Sequence, residues 1–522
     1  MSLVKKFATV ASGTLMSRVL GFAREMLMAA ALGTGPIADA FNAAFQFPNT
    51  FRRLFAEGAF NAAFVPLFAK EIEANGIEGA RRFSEEVFGV LFTTLLALTI
   101  IMELSMPLLV ATIIAPGFSG NAEKHDLTVA LATIMFPYLM CMSLAAMMAG
   151  MLNSLRRYFA AAIAPVFLNI ILIGVLFYAW HSKLGGLQIG YALAWGVLAA
   201  GLVQLVIVWG AVRHAGVRIG FRRPHLTPNV KRLLVLAFPA AVTGGITQIN
   251  QLIGTAIASG KESAVSSLAY ADRVYQLPLG VVGIAVAIVL LPELARALKA
   301  GNLREASNLQ NRSVEFTLFL TLPAAAALLV ISEPIVRLLY ERGEFSAGAT
   351  TNTALAVMAI SIGLPAYVFN KALQPGFFAR GDTVTPFRYS MITIVADITI
   401  CIVFFFWLRR WGLGYLGIAL GTGLAAWINT TLLYRMLRKR GFLVLDQRLK
   451  RNLPRFALAN VAMAGVLVGG QHLLAPWLSG PLERQAAGLV ALVGAAALVY
   501  FLLVVLLGAY TLADFKRHAL RR

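Results

Sequence analysis

The chain has 522 residues, of which 59% are hydrophobic and 13% charged, with a net charge of +21; its mean hydropathy is +0.76. A soluble chain carries about 25% charged residues, so a soluble globular domain is excluded. The apolar residues fall in runs of about 20 or more, enough to cross about 30 Å of hydrocarbon as helices, and the fold class is an all-α polytopic membrane protein.

Fourteen spans are predicted, at approximately 8–32, 37–68, 87–115, 127–152, 158–180, 187–211, 233–258, 264–295, 313–337, 351–378, 387–408, 412–434, 455–475 and 486–510. The start resembles a signal peptide, with Lys5 and Lys6 before an apolar stretch, but Arg18 and Arg24 interrupt that stretch and no small-residue cleavage site follows. It reads as a retained first helix. Lys and Arg crowd the N-terminus, every second loop and the C-terminus, and are sparse in the alternate loops. The basic side is cytoplasmic, so both termini are expected there. Clusters such as Arg438-Lys439-Arg440 and Lys450-Arg451 then read as topology signals beside anionic lipid, and no nucleic acid is expected as a partner.

Compared with itself, the chain repeats at an offset near 227: Gly33 with Gly260, Pro107 with Pro334, Phe118-Ser119 with Phe345-Ser346 and Gly190 with Gly417. Gln46-Phe47-Pro48 matches Gln276-Leu277-Pro278 at a slightly longer offset. Six spans per repeat is an even number, so both copies enter the membrane in the same sense. Two six-helix pseudo-symmetric lobes are expected, with the substrate site between them. The predicted division is 1–225 for the N-terminal lobe, 226–440 for the C-terminal lobe, and 441–522 for two extra helices and a tail. Pro48 and Pro278 are expected to kink the second span of each half.

Six cations sit inside apolar stretches: Arg18, Arg24, Arg52, Arg53, Arg273 and Lys371. Each costs roughly 2.5–3.5 kcal/mol at the centre of a membrane helix on insertion scales, and arginine does not shed its proton. Arg18 and Arg24 lie about 120° apart on an ideal helix, flanking rather than sharing one stripe, with Gly21 between them as a site of close approach or bending. Neighbours in sequence point about 100° apart, so Arg24 and Glu25 are not expected to pair. Arg53 and Lys371 read as snorkelling or supporting residues. Asp39 is either a helix-entry residue or functional, and Asp397 either a cation or proton site or a neutral hydrogen-bonded carboxyl. Arginines facing one cavity suit a phosphate-rich ligand, which guanidinium binds bidentately.

Other chemistries find no support. Gly260-Lys261 lacks the glycine of a phosphate-binding loop, because Thr255 stands in its place. The six histidines have no metal-ligand spacing, and Cys141 and Cys401 read as packing residues. No metal, cofactor or enzymatic activity is expected.

The run Ser17-Arg18-Val19-Leu20-Gly21-Phe22-Ala23-Arg24, then Ala38-Asp39-Ala40-Phe41, Phe47-Pro48-Asn49 and Arg52-Arg53-Leu54-Phe55-Ala56-Glu57-Gly58, resembles the MurJ (MviN) family, as do Ala115-Pro116-Gly117-Phe118 and Tyr270-Ala271-Asp272-Arg273. That family lies within the multidrug/oligosaccharidyl-lipid/polysaccharide exporter superfamily. The resemblance covers essentially the whole chain. It implies a flippase that moves lipid II, the undecaprenyl-diphosphate-linked peptidoglycan precursor, across the bacterial inner membrane. It also implies that Arg18, Arg24, Arg52 and Arg273 bind substrate and that Asp39 is a functional acid, with Glu57 gating or structural. The extra helices would form a hydrophobic groove for the lipid tail. Membrane lipids and cell-wall synthesis proteins are further candidate partners. Some relatives carry Lys at Gln46 and Glu at Gln276, so a mechanism built on that pair lacks its charges here. The family's sodium-site pattern is not clearly reproduced, with only Asn250 and Asp397 found near it.

Alternating access is the expected mechanism, with the membrane potential, worth about 2.3 kcal/mol per charge per 100 mV, favouring outward movement of the anion. A drug/cation antiporter of the same superfamily would place cationic drugs beside uncompensated arginines. A membrane enzyme acting on lipid-linked sugars would need a carboxylate cluster that the sequence lacks, and a structural scaffold of the cell-wall machinery is a third reading.

Overall fold

The computed structural model describes residues 3–53 and 60–510; Glu57 lies outside them. Among the described residues every regular element is helical, and no strand is present. Ten helical stretches are long and apolar enough to cross a membrane, and they correspond to expected spans 3 to 6 and 9 to 14. The helices at the other four expected positions are α1 (Leu3–Leu32), α2 (Pro36–Arg52), α8 (Pro228–Ala258) and α9 (Ala264–Lys299). The intervening helices are α3 (Phe60–Leu104), α4 (Ala122–Met135), α5 (Tyr138–Ser154), α6 (Phe159–His181) and α7 (Gly186–His214). Those four helices carry charge inside them, as α1 does with Arg18, Arg24 and Glu25, or are described only in part. By length and composition the described residues thus give ten candidate spans, and the count of fourteen is not confirmed by them.

One expected loop is helical. Residues 69–86 belong to α3, which is broken at Gly76, where φ is +66°, a conformation open to glycine without steric strain. Past the break, Arg81 bonds Glu78 and Glu85, 2.6 and 2.7 Å away, at helical spacing. The polarity that argued for a loop instead makes an ion-paired helix surface.

The chain divides into two compact units, Met1–Ser266 with Arg342–Phe345, and Ser267–Glu341 with Ser346–Arg522. In the first unit α1 packs on α6, α6 on α7, α2 on α4 and α3 on α5. Helix approach is closest where small residues meet: a Cβ on Gly13 of α1 would lie 2.8 Å from the Ala162 carbonyl oxygen. Gly21 has only ordinary contact with Asn169, at 3.5 Å, so the close approach expected at Gly21 occurs two turns earlier. Dispersion contacts through small residues replace the hydrophobic effect as the force between helices in lipid.

The second unit contains α10 (Leu303–Val330), α11 (Ser332–Tyr340), α12 (Ala347–Ser361), α13 (Leu364–Leu373), α14 (Val384–Arg409), α15 (Gly414–Lys439), α16 (Gln447–Leu473) and α17 (Leu482–Leu506). The α14–α15 pair is a close glycine-lined contact, with a Cβ on Gly417 meeting the Phe404–Phe405 peptide at 2.5 Å. The last two helices, α16 and α17, dock on α10 through Phe319, Phe456, Leu492 and Tyr500. The Tyr500 hydroxyl donates to the Phe319 carbonyl at 2.8 Å.

Loops expected on one side of the membrane meet one another within each unit. Thr227 donates to Glu86 at 2.8 Å in the first unit, and Asp446 N–H to Asn311 at 3.2 Å in the second. On the opposite side, the Gly117 N–H donates to Ser259 Oγ at 2.8 Å and the Glu344 N–H to the Ala30 carbonyl at 2.9 Å. Positions 117 and 344 are separated by the repeat offset. Both loop-on-turn contacts lie inside the first unit.

Candidate functional site

The first unit holds a buried polar centre at the start of α2. Gly35 and Pro36 begin that helix, Pro at its first position presetting φ where no N–H is needed, and this places Asp39 in the first turn. Asp39 is fully buried, and Lys124 Nζ lies 2.7 Å from its Oδ2. The Ser263 and Ser266 N–H groups donate to the same carboxylate at 2.9 and 2.8 Å, with the Ser266 hydroxyl at 2.7 Å. These two N–H groups are orphan donors of the first turn of α9, so Asp39 caps another helix than its own. Asp39 is therefore both a helix-entry residue and the hub of a network. Lys124 is placed by Asn121, whose side chain caps α4, and its ammonium rests 4.1 Å from the centre of the Phe118 ring.

Glycines let the surrounding loops close on this centre. Gly33 (φ +59°) and Gly343 (φ +58°) adopt left-handed conformations. A Cβ on Gly33 would meet the Glu344 carbonyl oxygen at 2.3 Å, and one on Gly343 the Ala30 oxygen at 2.2 Å. A Cβ on Gly117 would meet the Ser259–Gly260 peptide at 2.4 Å. Chain approaches of this kind exclude any side chain.

Arg24 forms a second centre. It is 6% exposed, bonds Asn169 Oδ1 at 3.1 Å and pairs with Glu25, also 6% exposed. The absence of pairing expected from the 100° between neighbours is corrected here: the long arginine side chain folds back to reach Glu25. Asn169 donates to the Ser17 carbonyl at 2.9 Å, tying α6 to α1. Arg24 Nε is buried without a hydrogen-bond partner among the described residues.

The remaining expected residues are spread over both units. Arg18 is exposed on α1. Arg52 is half-buried at the end of α2 and donates from Nε to Asn49 at 3.0 Å. Arg53 reaches Gln251 at 3.3 Å, and Lys371 is exposed. In the second unit, half-buried Arg273 follows Asp272, which accepts a hydrogen bond from Gln276. The neutral residue at 276 is thus used to hold an acid.

Asp397 is buried on α14, with Cys401 Sγ 3.1 Å from its Oδ1. Cys401 also approaches the Ile418 carbonyl at 3.5 Å, and Tyr367 donates to the Thr422 carbonyl at 3.3 Å. Cys401 therefore does more than pack. No group of three metal-ligating side chains occurs among the described residues. Lys124, Ser266 and Asn169 are the partners that sequence reasoning missed. The one available signal was Lys124 itself, a cation in a loop set otherwise poor in Lys and Arg.

The family described as "Lipid II flippase MurJ" matches residues 28–486. A protein of Rhizobium meliloti (strain 1021) named "Probable lipid II flippase MurJ" is 63% identical over 523 residues, covering 100% of this chain and 97% of its own. A protein of the same name from Rickettsia prowazekii (strain Madrid E) is 34% identical, with 92% of each chain covered. Among solved structures, "Lipid II flippase MurJ, inward closed conformation" superposes with a TM-score of 0.76 at 24% identity, over 98% of this chain and 99% of the other. An inward-facing multidrug resistance transporter of the MATE family shares the fold, with a TM-score of 0.64 at 15% identity, over 83% of this chain and 97% of its own.

Proposed function

Because the chain belongs to the lipid II flippase MurJ family, we propose that it carries lipid II from the cytoplasmic to the periplasmic leaflet of the bacterial inner membrane by alternating access. The observation that carries this reading is full-length likeness to flippases of that substrate. The protein is a multi-pass membrane transporter, and no covalent step is needed for its task. Both termini are placed in the cytoplasm, from the distribution of Lys and Arg.

In this reading the diphosphate is bound by Arg18, Arg52 and Arg273, which keep accessible surface. Guanidinium groups suit it because they bind phosphate oxygens in pairs. Arg24 is held by Glu25 and Asn169, and it joins the set when that pair opens. Asp39, with Lys124 and the start of α9, holds the outer side shut while substrate loads from the cytoplasm. Asp397 is a coupling residue, its carboxyl facing the Cys401 thiol, and Glu57 a gating residue. The membrane potential drives the anion outward and draws the empty cationic site back. Cell-wall synthesis proteins are protein partners to be sought by co-purification.

The deciding experiment places the purified protein in vesicles with labelled lipid II and follows its arrival in the opposite leaflet. Flipping by the wild type, lost in Arg18→Ala and Arg273→Ala with melting unchanged, supports the assignment. Undiminished flipping by both variants removes these arginines from the site.

A further inference from the structure

A second basic site lies far along the chain from the residues assigned above. A cavity of about 760 Å³ opens where the start of α16 meets the end of α17, lined by Arg448, Lys450, Arg451, Asn452, Arg455 and Gly508 among others. We propose that this cavity binds the phosphate headgroup of an anionic membrane phospholipid, whose acyl chains lie along the apolar flank of α16 and α17.

Charge is the first argument. The acids nearby are already engaged: Arg312 pairs with both Glu315 and Asp446, and Arg448 lies 3.4 Å from Glu315. Lys450 and Arg451 are exposed and make no ion pair among the described residues. Among the described residues Arg455 bonds only neutral groups, the Gly508 carbonyl at 2.7 Å and Asn452 Oδ1 at 3.2 Å. Among the described residues, three cations around one cavity therefore have no acid paired with them. Their position sharpens this. A helix start carries partial positive charge, and acids stabilise it while cations do not. Here Arg448, Lys450 and Arg451 fall in the first turns of α16, where the N-cap Asp446 is already bonded to the Leu449 N–H and paired with Arg312, so a further anion among the three cations would favour the helix start.

Rigidity is the second. A topology signal needs charge alone, with no fixed geometry. Asn452 is 2% exposed and donates to Glu315 at 2.6 Å and to the Ala509 carbonyl at 3.0 Å. It clamps α16 to α10 and to the end of α17, so the walls are set before a ligand arrives.

Shape separates a lipid from free phosphate. Leu458 and Val461 on α16 and Leu506 on α17 expose apolar side chains, continuing from the basic mouth into the hydrophobic stretch of both helices. A cationic pocket at the end of such helices fits a headgroup with its chains still in the bilayer.

The test uses the full chain in detergent and native mass spectrometry, titrating phosphatidylglycerol against phosphatidylcholine. Each cation near a membrane surface contributes about 1 kcal/mol toward anionic lipid, so removing two weakens binding about thirtyfold. The expected result is preferential phosphatidylglycerol binding by the wild type, weakened to that extent in K450Q/R451Q and retained in R438Q/K439Q, which removes equal charge from outside the cavity. Equal binding by K450Q/R451Q overturns the proposal. So does an equal loss in R438Q/K439Q, which means diffuse surface attraction. Displacement of the lipid by inorganic phosphate at similar concentration overturns it in favour of a free-anion site. If K450Q/R451Q melts lower than wild type, the exchange K450R/R451K decides, retained binding supporting the site and lost binding refuting it.

Discussion

The Lys124 ammonium lies 2.7 Å from the Asp39 carboxylate, with side-chain exposures of 7% and 0%. Removing one partner of a buried ion pair costs about 3–5 kcal/mol, much of it the burden of the charge left behind. Asp39→Ala also strips acceptors from the Ser263 and Ser266 N–H groups. The expected outcome is a large fall in melting temperature for Asp39→Ala and a smaller one for Asp39→Asn, which keeps an acceptor oxygen. The double variant Asp39→Asn with Lys124→Met should melt above Lys124→Met alone, because no buried carboxylate then remains uncompensated. Thermal unfolding in detergent measures all four, and additive losses would show that the two side chains do not act as a pair.

The paired glycine contacts make a second prediction. Gly343→Ala places a Cβ 2.2 Å from the Ala30 oxygen and imposes φ +58° on an L-residue. Gly117→Ala meets the Ser259–Gly260 peptide at 2.4 Å with no unusual φ of its own. Backbone cannot yield as a flexible side chain does, so each substitution should lower flipping at least about tenfold, a loss of roughly 1.4 kcal/mol in function. Gly120→Ala, with nothing within 4 Å, serves as the control and should behave as wild type in the same vesicle assay.

How much of this was legible in the sequence depends on the residue. Long apolar runs in lipid admit little but helices, so the helical class and the spans from α10 onward were readable directly. The arginines inside apolar runs were readable as anomalies of energy. Their partners were not: Lys124 falls in a loop of the predicted topology, where a lone lysine ordinarily reads as solvated, and Asn169 is one polar residue in a largely apolar helix. Arg24 and Glu25 defeated a helical-wheel argument because the wheel fixes Cβ directions, not the reach of a three-methylene stem ending in a guanidinium. The break at Gly76 was hidden by a segment whose charges suit either a loop or a paired helix surface.

Acid stability offers a third prediction. Outside the membrane spans, Asp382 accepts from the Thr385 hydroxyl at 2.6 Å and its N–H at 2.9 Å, and it pairs with Arg440. These interactions, those of Thr385 foremost, hold its carboxyl at about 2, below the ordinary value near 3.9. A depressed pKa in the folded state contributes stability that is fully present above the unfolded value and lost as pH falls through the folded one. Melting of the wild type should therefore decline between about pH 4 and pH 2 more steeply than that of Asp382→Asn, which lacks the titrating group. Parallel curves from pH 5 to pH 2 would remove Asp382 from the acid-labile set.

Arg24 and Arg18 should separate stability from transport. Arg24 is buried with its guanidinium on Glu25 and Asn169, whereas Arg18 is exposed. Arg18→Ala removes a charge from accessible surface, so flipping falls while melting stays within the small range of surface substitutions, about 0.5 kcal/mol. Arg24→Ala takes the pairing cation from a buried carboxylate and the donor from Asn169, so both melting and flipping fall, the former by about 3–5 kcal/mol. Arg24→Lys keeps the charge but not the planar fork that serves two acceptors at once, and it should recover only part of the stability. Neutralising both members, Arg24→Gln with Glu25→Gln, should restore melting toward wild type without restoring flipping. Recovery of flipping in that double variant would assign Arg24 a purely structural part and leave the diphosphate to Arg18, Arg52 and Arg273.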